Sequence, residues 1–180
     1  RSVEYIVEAN IPGDMVECGV WRGGSTMTVA LTLLSLGDTS RRLYLYDTYE
    51  GMTDPSDLDR YYDNRAAEAI LKATQKNTGM WCYASLDEVR NNMLSTGYPE
   101  ERIIFVKGKV EDTIPDARIG TLALLRLDTD WYESTKHTLS HLFPLVNPGG
   151  IIILDDYGCW QGARLAVDEY FKQINVRPFL

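Results

Sequence analysis

Cysteine, histidine and basic charge are all scarce in this sequence, and the shortages exclude more than they reveal. Its three cysteines, Cys18, Cys82 and Cys159, are an odd number with no CxxC spacing among them. That argues against a disulfide framework or a zinc knuckle and favours reduced thiols in a cytoplasm. Lysine and arginine total 18 against 26 acidic residues, a net charge of −8. A general nucleic-acid surface or an anionic-membrane surface needs a basic face, so neither partner is expected. No apolar run approaches the length of a membrane span, no signal-peptide pattern opens the chain, and no repeat or low-complexity segment interrupts it.

What is present suffices for one folded domain over residues 1–180, since 44% hydrophobic content at this length can bury a real core. Strand-like and helix-like segments alternate, which predicts a doubly wound, mostly parallel α/β sheet flanked by helices. Helices are expected over about 2–10, 24–36, 63–76, from Ser85, over 133–143 and over 161–173. Strands are expected at 14–19, 43–46, 103–106, 122–127 and 151–154, with Asn147-Pro148-Gly149-Gly150 as the turn into the last. Ser85 and Glu88 have capping-box spacing. Residues 51–100 are the least regular stretch.

Three acids stand out. Leu124-Leu125-Arg126-Leu127-Asp128 and Ile151-Ile152-Ile153-Leu154-Asp155-Asp156 are nearly pure aliphatic runs that end abruptly in acid. Such runs suit parallel strands buried on both faces, and ligands in open α/β sheets bind just beyond their carboxyl ends. Carboxylates converging there repel one another, and a hard divalent cation such as Mg²⁺ would relieve the repulsion. Near the other end, strand one runs through Glu17-Cys18-Gly19-Val20-Trp21-Arg22-Gly23-Gly24-Ser25 into a helix. A glycine turn at a helix amino terminus lets backbone approach a ligand, although the spacing is not GxGxxG, and a tight turn with no ligand is the alternative. Asp47, at the tip of the next strand, is placed to accept hydrogen bonds from ribose hydroxyls. The two signals together point to a nucleoside-containing cofactor.

Glu-x-Gly-x-x-x-Gly-x-Ser from Glu17, Asp47, Gly108 with Glu111-Asp112-Thr113, Asp128 and Asp155-Asp156 together resemble a class I S-adenosylmethionine methyltransferase. More narrowly, Leu125-Arg126-Leu127-Asp128-x-Asp130-x-Tyr132-Glu133-Ser134-Thr135, Pro148-Gly149-Gly150 and Asp155-Asp156-Tyr157-Gly158 resemble the macrocin O-methyltransferase (TylF-type) family. The resemblance covers residues 13 to 172. It implies Mg²⁺-dependent transfer of a methyl group from S-adenosylmethionine to a hydroxyl of a small natural-product or sugar acceptor. It implies that Glu17, Gly19 and Ser25 line the methionine and ribose side, that Asp47 holds the ribose, and that Gly108, Val110 and Glu111 border the adenine. Asp128, Asp155 and Asp156 would bind Mg²⁺, with Asp128 also near the methyl donor and Asp155 as proton acceptor. Catechol-type relatives place a lysine base where this chain has Trp131, so that mechanism is closed to it.

Other readings stay open. Asp130 is either a helix cap or a site residue. His137 and His141, four apart, are solvated or chelating. Met52, Tyr61, Tyr62, Met80 and Trp81 form an acceptor lid or merely pin the 51–100 segment. Arg22 meets an anionic group or a surface acid. The chain starts almost within a helix and stops at Arg177-Pro178-Phe179-Leu180 as if a strand were beginning, so the fold's C-terminal hairpin is expected to be truncated. Ile151 to Leu154 would then be an apolar sheet edge covered by another subunit in a homo-oligomer. A non-catalytic cofactor-binding module and an NAD-dependent oxidoreductase are the rival functions.

Overall fold

The structure, a computed structural model, describes residues 1–75 and 79–178. Five strands build its sheet: β1 (Asp14–Cys18), β2 (Leu43–Asp47), β3 (Ile103–Lys107), β4 (Leu122–Leu127) and β5 (Val146–Leu154). Their order is β3-β2-β1-β4-β5 and every pairing is parallel. The chain reverses direction across the sheet between β1 and β4, which makes that border the switch point where α/β folds open a crevice.

Side chains alternate across the pleat, and both faces are apolar. Met15, Leu43, Leu45, Ile103 and Leu124 lie under α1 (Ser2–Glu8), α2 (Gly24–Ser35) and α4 (Leu86–Leu94). Val16, Tyr44, Tyr46, Leu125 and Leu127 lie under α5 (Val110–Thr113), α6 (Tyr132–Leu142) and α7 (Gln161–Gln173). Burial on both faces explains why the strands carry aliphatic runs rather than alternating polar residues. A third, smaller cluster gathers Ala67 and Leu71 of α3 (Ala67–Ala73) with Trp131, Trp160 and Ala163. It fastens the 51–75 stretch to the starts of α6 and α7.

Most expected elements are present within a residue or two, and the differences have local causes. α3 begins at Ala67 rather than 63 because Asn64 turns into the left-handed region and Tyr61 N–H bonds the Arg65 carbonyl, closing a tight reversal first. The expected helix end at 76 lies outside the described residues. Pro148-Gly149-Gly150 does not precede β5 but sits within it. Leu122 pairs with Val146 and Leu124 with Ile151, and the residues between bulge out of register. Ser85 caps α4 as expected, its Oγ accepting from Glu88 N–H at 3.2 Å. β5 is the sheet edge in this structure. Arg177 and Pro178 carry no strand, and the rest of the expected strand start, 179–180, is outside the described residues.

Gly19 deserves its glycine. Its φ is +81°, and a Cβ there would lie 1.8 Å from the Asp128 carbonyl oxygen. Gly19→Ala should therefore destabilise the fold by about 2–5 kcal/mol, combining left-handed strain with a backbone clash. Urea unfolding measures this, and a loss below about 1 kcal/mol would contradict the contact.

Candidate active site at the carboxyl ends of the strands

The sheet ladder runs one residue past the strands. Gly19 N–H donates to Tyr46 O (2.9 Å), Asp128 N–H to Cys18 O (2.8 Å) and Asp155 N–H to Leu127 O (3.0 Å). Gly108 N–H donates to Asp47 O (3.0 Å) on the far side. Residues 19, 47, 108, 128 and 155 therefore share one edge, each held by backbone rather than by loop packing. An open cleft lies along this edge, lined among others by Gly19, Asp47, Gly108, Val110, Glu111 and Asp128. Six of the residues the resemblance singled out thus face one space.

Asp47 has a task of its own. Its Oδ2 accepts from the backbone N–H of Val20 (2.7 Å) and Trp21 (3.1 Å), and its Oδ1 from Tyr49 N–H (2.6 Å). Trp21 adopts a left-handed φ of 47° without being glycine, so the turn that GxGxxG would form with glycine is here pinned by a carboxylate. Asp47 shapes the turn as well as the cleft.

Four aspartates crowd the β4–β5 side. One carboxylate oxygen each from Asp128, Asp155 and Asp156 lies within 4.8 Å of the others. Asp130 joins them. Its backbone N–H donates to Asp156 Oδ2 at 2.9 Å, and it lines the cleft beside Asp128. It is no helix cap, because Trp131 holds that position in α6. Burial lifts the Asp128 carboxyl to about 7 against the opposing pull of Arg126, and the neighbouring charges of Asp156 and Asp155 add to the rise. Burial first, then Asp156 and Asp128, raises Asp130 well above the ordinary carboxylate range, and burial likewise raises Asp156. Hard oxygen donors that repel one another at this spacing are the donor chemistry that Mg²⁺ or a similar ion prefers. The residues fit such an ion.

Sequence reasoning missed Arg126. It rises from β4 directly opposite Glu17 of β1, and the two form a nearly buried ion pair. The same guanidinium reaches Asp128 Oδ2 (2.8 Å) and Asp155 Oδ1 (2.8 Å). A lone arginine in a buried aliphatic strand was the available signal, but recognising it needed the β1–β4 pairing. Glu17 also accepts from Thr26 Oγ1 and is bonded by Ser25. Both Glu17 and Ser25 face a separate cavity between α1, α2 and the sheet rather than the cleft itself. The structure thus brings these two together on that cavity, apart from the residues that line the cleft.

The irregular segment is anchored from below. Trp131, where a lysine base would stand, is buried, donates its indole N–H to Thr53 O (3.1 Å) and packs edge-on against Trp160. Asp59 is 1% exposed. It accepts from Ser56 N–H (2.7 Å) and from Tyr132 N–H (2.7 Å), satisfying an open donor at the start of α6. Met52, Tyr61 and Trp81 pack into the small third cluster, whereas Tyr62, Met80 and Tyr83 are exposed. The segment is therefore both pinned and presented. His137 Nε2 bonds the Ile114 carbonyl (2.9 Å) and His141 Nδ1 the His137 carbonyl (2.9 Å), and neither joins a metal-holding group among the described residues. Arg22 pairs with Glu88 at the surface.

Comparison with known proteins gives the family. The family model for macrocin O-methyltransferase (TylF) matches residues 1–179. The chain belongs to the TylF family. It is 38% identical over 168 residues to the 8-demethyl-8-(2,3-dimethoxy-alpha-L-rhamnosyl)-tetracenomycin-C 4'-O-methyltransferase of Streptomyces olivaceus, covering 93% of this chain and 61% of that protein. It is 36% identical over 176 residues to the demethyldecarbamoylnovobiocin O-methyltransferase of Streptomyces niveus, covering 98% and 64%. The TylF chain described here thus spans less than two thirds of these relatives' own length. The solved structure of the O-methyltransferase NovP superposes with a TM-score of 0.84 at 35% identity, over 99% of this chain and 71% of that one. No helix among the described residues is long and apolar enough to cross a membrane.

Two measurements test the site's physics. Raised carboxyl pKa values mean that the folded state holds protons the unfolded chain has released, so stability falls as pH rises between them. For Asp128 that window runs from about pH 4 to about 7. Without divalent cation, the melting temperature should decline across it, and in Asp128→Asn the decline should be shallower. A rising or identical slope would contradict the cluster's electrostatics. Separately, a Cβ on Gly162 would lie 2.0 Å from Asp59 Oδ1. Gly162→Ala should cost about 1–3 kcal/mol by expelling Asp59 from its pocket, with earlier proteolysis within 51–66.

Proposed function

We propose that this TylF-family domain transfers a methyl group from S-adenosylmethionine to a hydroxyl of a small, sugar-bearing natural product, with a divalent cation held by Asp128, Asp155 and Asp156. The observation that carries the reading is the continuity of the two halves. The cleft lined by Gly19, Asp47, Gly108 and Glu111 runs without a break to Asp128 and Asp130. The names of the relatives, both O-methyltransferases and one of them naming a rhamnosyl-bearing compound, support the acceptor class.

S-adenosylmethionine would supply an electrophilic methyl group on a sulfonium, and a cation held by the three acids would lower the pKa of an acceptor hydroxyl. The chain supplies the rest. Asp47 and the left-handed turn at Trp21 shape the part of the cleft suited to a ribose, and Val110 and Glu111 border the part suited to adenine. The attacking hydroxyl must lose its proton as the new C–O bond forms and the S–C bond breaks. Resemblance gives this proton to Asp155. Asp155, however, already accepts from the Arg126 guanidinium and is half-exposed, whereas Asp130 lines the cleft itself. We therefore assign the proton to Asp130, with Asp155 as a ligand of the cation. The walls of the cleft would hold donor carbon and acceptor oxygen close, which is how positioning contributes to rate.

Thermal unfolding with S-adenosylhomocysteine tests the cofactor. Saturation at about a hundred times Kd adds about 2.7 kcal/mol, a rise of about 5–10 °C for this size. Asp47→Ala should abolish the rise, and NAD should give none. Methyl transfer from labelled S-adenosylmethionine to a panel of deoxysugar glycosides tests the chemistry. Asp128→Ala and Asp155→Ala should lose turnover entirely, and Asp130→Asn should lose at least about a hundredfold in kcat. Full activity in Asp130→Asn would return the proton to Asp155.

A further inference from the structure

We propose that Arg126 is a built-in counter-cation that holds down the acid cluster's affinity for a divalent ion. The inference rests on the reading of Asp128, Asp155 and Asp156 as a cation site and concerns how tightly that site binds. Arg126 takes one oxygen of Asp128 and one of Asp155, each at 2.8 Å. Those are two of the three carboxylates an ion would use. An arriving ion meets ligands whose charge is already partly neutralised, and it must share them with the guanidinium or displace it.

Arg126 is not free to swing aside. Its Nη1 is held by Glu17, its cross-strand neighbour, whose side chain is 5% exposed, and the same nitrogen meets Asp128. Glu17 is held in turn by Thr26 of α2. An anion buried that deeply is costly without its partner, so the Glu17 end of the contact is the last to break. The aspartate contacts are wetter: the Asp128 and Asp155 side chains are 31% and 50% exposed. The guanidinium is therefore held more firmly by the buried Glu17 than by the two wetter aspartates. This arrangement keeps Asp128 and Asp155 together when no ion is present, at the expense of ion affinity. The buried Glu17 and the cluster are linked through one residue, which explains a charge in a strand whose other positions are aliphatic.

Calorimetric titration of Mg²⁺, and of Mn²⁺, into the chain without cofactor tests the proposal independently of turnover. The proteins compared are the unsubstituted chain, Arg126→Met, Arg126→Lys and the double variant Glu17→Gln with Arg126→Met. Removing a positive charge in contact with two ligands should tighten ion binding about tenfold or more. Both Met variants should show this, Arg126→Lys should stay near the unsubstituted value, and Arg126→Met should melt lower in chelator. Structural damage alone weakens binding and cannot produce the tightening. The double variant removes the unpaired buried acid and keeps the test valid should Arg126→Met fail to fold. Ion binding in the Met variants with none in the unsubstituted chain would also support masking by Arg126. Equal or weaker binding in the Met variants, with clear binding in the unsubstituted chain, overturns the role of Arg126 and leaves the cation site standing. Binding in none of the four overturns both.

Discussion

Carboxylates delivered to one place by parallel strands repel one another, and much of this molecule can be understood as the management of that repulsion. β4 and β5 end on the same row, so Asp128 and Asp155 arrive side by side, and Asp156 and the left-handed Asp130 close the group. Water screens them poorly, because burial is the first cause of the raised pKa at Asp128, Asp130 and Asp156. Arg126 is the fold's own answer, and it is itself acceptable in a buried strand only because Glu17 stands opposite it on β1. The sheet register and the site chemistry are therefore one constraint. A shift of either neighbouring strand by one residue would part the pair and turn its side chains to the opposite face.

Much of this was legible in the residues. Aliphatic runs ending in acid mark buried parallel strands and their functional ends at once, because the same burial that demands Leu and Ile makes the terminal Asp conspicuous. Ser85 and Glu88 marked their helix start by spacing alone. What stayed hidden depends on partners remote in sequence. Arg126 looked like an interruption of a strand until Glu17, 109 positions away, was set beside it. Asp59 gave no local signal at all, since the donor it satisfies belongs to Tyr132, 73 positions on. Local pattern was also misleading at Pro148-Gly149-Gly150, where turn residues form a bulge within β5 because the β4 pairing resumes on both sides of them. Gly19 was recognisable as a special glycine, but the close approach it permits is to the chain's own Asp128 carbonyl.

Trp131 shows how one replacement redistributes work. A lysine there would bring a base and a charge, whereas tryptophan brings an apolar ring that is buried against Trp160 and a single donor committed to Thr53. The position has been given over to holding the 51–75 stretch in place. On the proposed reading, proton transfer then falls to the aspartates, and the acid cluster would supply both ion ligands and a base. Four acids where three would hold an ion make sense on that division of labour.

The anchorage of the irregular segment has a consequence for how the family can diversify. Asp59, Trp131 and Gly162 fix the segment at points that face the protein, while Leu58, Tyr62, Met80 and Tyr83 face outward. Fastening and presentation are thus carried by different residues. The outward set can be exchanged with little penalty in stability, so long as the fasteners remain, and without disturbing Gly51, Met52, Thr53 and Cys82, which line the cleft. The segment behaves as an interchangeable faceplate, screwed to the two helix starts that stand behind the acids.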